Sequence, residues 1–151
     1  MFCYSKQMNI HQACARNRIF TLKRLIRNGV DINARDADGK TPLMICCKMN
    51  SIWCLKILLA QPGIDVNALD EDKNTALIIA CSYDHHKCVK CLMKYPGVLL
   101  NHINKYGDRA LMVAFFSQRG KSLKLLCENQ EVLHFNPYNS GSLKFHTIAV
   151  D

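Results

Sequence analysis

Two stretches of the chain, NGVDINARDADGKTPL at 28–43 and QPGIDVNALDEDKNTAL at 61–77, are copies of one another. Gly29 corresponds to Gly63, Asn33 to Asn67 and Thr41 to Thr75, each 34 residues later. The pattern continues at Gly97. A period in the low thirties indicates stacked supersecondary units, each of which needs its neighbours to bury its apolar side.

Each copy predicts a pair of helices. Thr41 is a good N-cap and Pro42 a good first helical residue, so a first helix is expected to run to Met49. A turn near Asn50 leads to a second helix, and Gly63 lies where a left-handed residue would follow its end. The second helices show apolar residues at spacings i, i+3 and i+4: Leu22, Leu25, Ile26; Leu55, Leu58, Leu59; Val89, Leu92, Met93.

The repeated unit resembles a known family. GKTPLMICC at 39–47 resembles the T-P-L-H-x-A-A opening of the ankyrin repeat, and GIDVNALD at 63–70 resembles its G-A-D-V-N-A-x-D close. The resemblance implies an all-α solenoid of about four helix-turn-helix repeats plus a truncated fifth, forming one domain over 1–151. The predicted repeats are 6–35, 36–69, 70–103 and 104–137, with a half-repeat at 138–151. In the fourth, Arg109 replaces the capping threonine.

A nucleotide-binding loop is excluded, although Gly39-Lys40-Thr41 has the letters that end one. The phosphate loop needs another glycine five positions before Gly39, where the chain has Ala34. Pro42 follows Thr41 and has no N–H to offer a phosphate.

The chain has nine cysteines and no apolar segment of the signal-peptide type near residue 1. We therefore expect free thiols in a reducing compartment, the cytoplasm, with the nucleus also open. Cys14, Cys47 and Cys81 share a first-helix position where close packing needs a small residue, and Cys54 and Cys88 share a second-helix position. The prediction is that these thiols are buried apolar packers.

One cysteine cluster, CSYDHHKCVKC at 81–91, suggests different chemistry. A tetrahedral zinc site needs four convergent ligands, and Cys81, His85, Cys88 and Cys91 are the candidates. The second C-x-x-C of a zinc ribbon is absent, and Cys88 and Cys91 are both expected to face the core. We expect no metal, no cofactor and no catalysis, and keep a metal-binding or Cys/His-dependent protein built on residues 81–91 as the alternative.

Charge divides between the two sides of the predicted stack. The net charge is +8, nine of the twenty lysines and arginines fall on second helices, and the acidic residues of the central repeats fall on the turns. Two oppositely biased, solvated faces explain this pattern. Nucleic-acid binding by the basic convex face, formed by the second helices, is an alternative that lacks interleaved aromatic residues.

The family resemblance also implies a binding surface. Ankyrin repeats read their partners with variable residues on a concave face, made of the turn tips and the first helices. The resemblance thus implies a non-catalytic protein–protein interaction module (adaptor, scaffold or inhibitor), monomeric alone, with another protein as partner and no membrane. Carried onto this chain, the partner-binding positions are Arg16, Arg35, Asp38, Lys40, Lys48, Met49, Leu69, Glu71, Asp72, Asn74, Tyr83, Ile103, Lys105, Tyr106, Asp108 and Phe116.

Several of these positions are apolar, and they predict a near-continuous strip with a polar rim, as at a protein interface. Partial shielding by neighbouring repeats is the alternative explanation. A separate pair, Phe20 and Trp53, shares one register on second helices. We expect Phe2 and Tyr4 to cover this pair, a second contact patch being the alternative.

Overall fold

A computed structural model describes residues 8–117 and 120–133 of the chain. In these residues every regular element is helical, which confirms the predicted all-α class. None of these helices is both long and apolar enough to cross a membrane. In chain order the helices are α1 (Ile10–Ala15), α2 (Ile19–Arg27), α3 (Pro42–Met49), α4 (Ile52–Leu59), α5 (Ala76–Ser82), α6 (His86–Met93), α7 (Ala110–Phe116), α8 (Gly120–Cys127) and α9 (Gln130–Leu133).

The helices form pairs that stack in two layers. First helices pack on first helices in the order α1, α3, α5, α7, and second helices pack in the order α2, α4, α6, α8. The core lies between the layers and contains Leu22, Leu43, Leu55, Leu77 and Leu92, all fully buried. The exact repeat boundaries stay a prediction, and the predicted half-repeat at 138–151 lies outside the described residues.

The first helices begin where the sequence predicts. Thr41 Oγ1 accepts a hydrogen bond from the Met44 N–H at 3.4 Å, and Thr75 Oγ1 accepts one from Ile78 at the same distance. Each bond satisfies one of the N–H groups that a helix start leaves without an intrahelical partner. Arg109, at the corresponding position before α7, makes no side-chain cap bond.

The turns within the pairs also join neighbouring pairs. Asn17, Asn50 and Asp84 adopt left-handed φ angles of 50°, 56° and 52°, which Asn and Asp tolerate better than most residues. Their side chains then reach forward to the next second helix: Asn17 Oδ1 accepts from the Cys54 N–H at 3.3 Å, and Asp84 Oδ1 from the Ser122 N–H at 2.8 Å. The predicted turn at Asn50 is confirmed.

A second set of hydrogen bonds between repeats joins the loops that connect successive helix pairs. Asn33 Nδ2 donates to the Gly63 carbonyl at 2.8 Å, and Asn33 Oδ1 accepts from the Asp65 N–H at 2.9 Å. Asn67 does the same one repeat later, with Gly97 at 2.7 Å and the Leu99 N–H at 2.9 Å. We call the paired bonds of Asn33 and Asn67 the asparagine ladder. The ladder holds each loop against the corresponding loop of the next repeat.

The cysteines behave largely as predicted. Cys14, Cys47, Cys54, Cys81 and Cys88 are all buried, which confirms their assignment to the core. Cys91 differs from the expectation, because it is only partly buried. It lies at the edge of the buried stripe of α6, which consists of Cys88, Val89 and Leu92.

Candidate partner-binding face

The turn tips, residues 36–41, 70–75 and 104–109, are three copies of one hydrogen-bonded structure. In each, the first side chain accepts two backbone N–H bonds, from the residues two and four positions later. The distances are 3.0 and 2.8 Å at Asp36, 3.0 and 2.8 Å at Asp70, and 3.0 and 2.9 Å at Asn104. The tips are therefore held in shape before any partner arrives.

Adjacent tips are joined to one another. Lys105 N–H donates to the Asp72 carbonyl at 3.0 Å, and its ammonium forms an ion pair with the Asp72 carboxylate. Tyr106 Oη donates to Asp72 Oδ1 at 3.3 Å, and the Lys105 ammonium lies 5.1 Å from the centre of the Tyr106 ring. The hydrogen bond from Lys105 lowers the pKa of Asp72, and the same contact raises the pKa of Lys105. The cluster fixes Tyr106 at the tip with its ring exposed.

Two cationic side chains, Arg35 and Lys40, join the first turn tip to the second. Arg35 donates to the Gly39 carbonyl at 3.1 Å and to the Leu69 carbonyl of the next repeat. Lys40 Nζ lies 3.3 Å from Asp38 Oδ2 and 3.9 Å from the buried Asp70 carboxylate. Several charged residues predicted to contact a partner therefore already hold the frame of the face.

The predicted apolar residues lie in two rows. The turn row consists of Leu69, Ile103 and Tyr106, close to the tips, and the helix-end row consists of Met49, Tyr83 and Phe116, at the ends of α3, α5 and α7. A helix of this length separates its two ends by about 10 Å at 1.5 Å per residue. In the helix-end row the exposed fractions are 51% for Met49, 42% for Tyr83 and 65% for Phe116.

Tyr83 is positioned by its neighbour His85. The two rings stack with centres 5.8 Å apart and planes 16° apart, and His85 Nδ1 donates to the Cys47 carbonyl at 2.7 Å. The histidine is thus held by the preceding repeat and in turn supports the tyrosine. This contact gives His85 a structural role that does not involve the cysteine cluster.

The cysteine cluster is arranged for packing. Burial raises the pKa of Cys81 to about 12, which disfavours the thiolate that nucleophilic catalysis needs. Cys88 Sγ donates to Asn50 Oδ1 at 3.7 Å. Across residues 8–117 and 120–133, no three His, Cys, Asp or Glu side chains are grouped so as to hold a metal ion.

The remaining predicted positions are polar and differ in exposure. Arg16 and Glu71 are exposed, whereas Lys48, Asn74 and Asp108 are half-buried. Asn74 is held on both sides, since its Nδ2 donates to Asp70 Oδ2 at 3.3 Å and its Oδ1 accepts from Asn104 Nδ2 at 2.9 Å. Asn74 therefore belongs to the frame as much as to the surface.

Phe115 was missed by the sequence analysis. Phe115 is exposed, with its ring edge-on to that of Phe116 at 5.6 Å between centres. It lies 34 residues after Cys81, in the register that carries small buried thiols in the preceding repeats. A bulky ring in a small-residue register was the available signal.

A family model described as ankyrin repeats (3 copies) matches residues 5–70 and 62–136. A search of curated protein sequences found no match.

Proposed function

Because this chain belongs to the ankyrin-repeat family, whose members generally serve as protein–protein interaction modules, we propose that it binds a partner protein through its concave face. The proposed role is non-catalytic: an adaptor, a scaffold or an inhibitor, acting as a monomer in the cytoplasm or nucleus. The observation that carries the proposal is the exposure of Met49, Tyr83 and Phe116 in one row at the ends of the first helices α3, α5 and α7.

The exposure of this row is what an interface needs. Side chains of this size are normally found singly on a surface, and a group of them surrounded by polar groups marks an interaction site. Tyrosine is enriched among the residues that contribute most to binding, and both Tyr83 and Tyr106 lie on this face.

Rigidity supports the same proposal. The double backbone bonds in each tip, the Asp72–Lys105–Tyr106 cluster and the asparagine ladder all restrict the face before binding. A pre-ordered surface loses less conformational entropy on association, so more of the contact free energy is available for affinity.

A comparative pull-down tests the proposal. The wild-type chain, a Tyr83→Ala/Tyr106→Ala variant and a convex-face variant with Lys87→Glu, Lys90→Glu and Lys94→Glu would be used as baits in the same lysate. A partner of the concave face is retained by the wild type and the convex-face variant and is lost with the tyrosine variant. Loss with only the convex-face variant would contradict the proposal.

A further inference from the structure

The second helices form a surface of uniform charge. Within α2, α4, α6 and α8 there is no aspartate or glutamate. Glu128, just after α8, places a carboxylate oxygen 4.0 Å from the Lys124 ammonium. The exposed cations of the four helices are Lys23, Arg24, Arg27, Lys56, Lys87, Lys90, Lys121 and Lys124.

The first two of these helices add exposed aromatic residues. Phe20 is 88% exposed and Trp53 is 56% exposed, each as the second residue of its helix. The expected covering residues, Phe2 and Tyr4, lie outside the described residues. The Lys56 ammonium lies 5.0 Å from the centre of the Trp53 ring, so aromatic and cationic groups are mixed on this surface, contrary to the expectation that the basic convex face lacks interleaved aromatic residues.

Between α2 and α4 the same surface has a groove of about 400 Å³. Half-buried Ile26 and Ile57 give it an apolar floor, while Lys23 and Arg27, one helical turn apart, place two cations at its rim. Ala60 and Gln61 complete the lining. The groove can take aliphatic side chains, and its rim favours a ligand with negative charge beside them.

We propose that the groove between α2 and α4 binds an acidic peptide segment of another protein that carries aliphatic side chains between its carboxylates. The aliphatic groups would occupy the Ile26–Ile57 floor, and the carboxylates would pair with Lys23, Arg27 and Lys56. A groove of side-chain dimensions distinguishes this ligand from a lipid surface or a nucleic-acid backbone, which present charge without aliphatic side chains to fill it. The site is on the convex face, independent of the concave face.

The chain contains one tryptophan, Trp53, which precedes Ile57 of the groove floor by one turn of α4. Trp53 emission therefore reports binding directly. The probe is a tryptophan-free synthetic peptide that alternates glutamate and leucine. Binding should shift the emission to shorter wavelength and reduce quenching by iodide, with an affinity that falls as salt rises. Two comparison peptides replace all glutamates by lysine or all leucines by serine, and neither should bind.

Matched variants locate the site. Lys23→Glu with Arg27→Glu should lower the affinity for the glutamate–leucine peptide by at least about tenfold, because both rim positions then repel its carboxylates. Lys90→Glu with Lys94→Glu makes the same change in net charge away from the groove and should retain most of the affinity. Tyr83→Ala with Tyr106→Ala should leave it unchanged, which separates this test from that of the concave face. Helical circular dichroism of every variant checks folding.

The contrary outcomes are equally defined. Equal loss with the two charge-reversal pairs would show general attraction to a basic protein and overturn the site. Equal binding of the serine peptide would show that the groove is not used. A Trp53 response to phosphatidylserine vesicles or to RNA, with none to the glutamate–leucine peptide, would overturn the peptide assignment.

Discussion

Tyr106 Oη donates a hydrogen bond to Asp72 Oδ1 at 3.3 Å, joining residues that are 34 positions apart in the chain. One side chain thus connects two turn tips and also presents its ring to solvent. Because the ring is exposed, this contact orders the binding surface without contributing to the core.

The first prediction concerns Tyr83 and Tyr106. Replacing both by alanine should weaken partner binding by at least about 2 kcal/mol, as loss of central aromatic side chains does, and should barely change the melting temperature, because both rings are exposed. Affinity is measured by calorimetry with the partner recovered in the pull-down. The convex-face triple variant serves as control. Binding that survives the tyrosine changes and is lost in the control would place the partner on the convex face.

The second prediction concerns the caps of α3 and α5. Thr41→Val and Thr75→Val keep the side-chain shape and remove the oxygen that accepts from Met44 and Ile78. Each should lower the free energy of unfolding by about 1 kcal/mol in urea denaturation. A value near zero in both variants would mean that these long bonds contribute little.

The third prediction uses the repeat that lacks a cap. Arg109 precedes α7 in extended backbone geometry and makes no cap bond with its side chain, and burial lowers the pKa of its guanidinium. Arg109→Thr supplies a hydroxyl at this position and should raise the melting temperature. An unchanged or lower melting temperature, by calorimetry, would count against the alignment of the fourth repeat.

The fourth prediction concerns the asparagine ladder. Asn67→Ala removes the bonds to Gly97 and Leu99 together and should lower the free energy of unfolding by about 1–2 kcal/mol. Asn33→Ala should cost a similar amount, since it removes the equivalent pair. Asn28→Ala, at an exposed site outside the ladder, is the control. If all three variants unfold alike in urea, the ladder is not a stabilising feature.

The fifth prediction concerns Cys81. Burial raises its pKa from 9.0 to about 12, so in alkaline solution the unfolded chain releases this proton more readily than the folded chain. The buried thiol therefore makes its full contribution to the free energy of unfolding below pH 9.0, and this contribution falls as the pH rises toward 12. Cys81→Ala should cost on the order of 1 kcal/mol at neutral pH and should make the alkaline decline shallower.

Urea denaturation at a series of pH values measures both effects of the Cys81 change. Elemental analysis of the same two proteins tests the metal alternative. Stoichiometric zinc in the wild type, absent from Cys81→Ala, would contradict the packing role and restore the reading of residues 81–91 as a metal site.

The sequence by itself determined the repeat, the all-helical class and the helix starts. These depend on interactions between residues three or four apart, such as Thr41 with Met44, or on single-residue geometry, such as the left-handed Gly63. The buried cysteines were predictable for a related reason. The register of Cys14, Cys47 and Cys81 holds a small residue in the first three copies, as close helix packing requires, and all three thiols are buried there, whereas Phe115 in the fourth copy is exposed.

Only the tertiary structure decided how the candidate surfaces are built. A repeat alignment does not show in which direction a side chain points. It therefore could not show that Tyr106 bonds to Asp72, that Arg35 holds the next repeat, or that His85 supports Tyr83. Stacking of helices that are distant in the chain likewise produces the two rows of apolar residues. It also produces the groove between α2 and α4. A periodic sequence specifies which residues share a register, whereas packing of adjacent repeats decides which of them meet and which remain exposed to a partner.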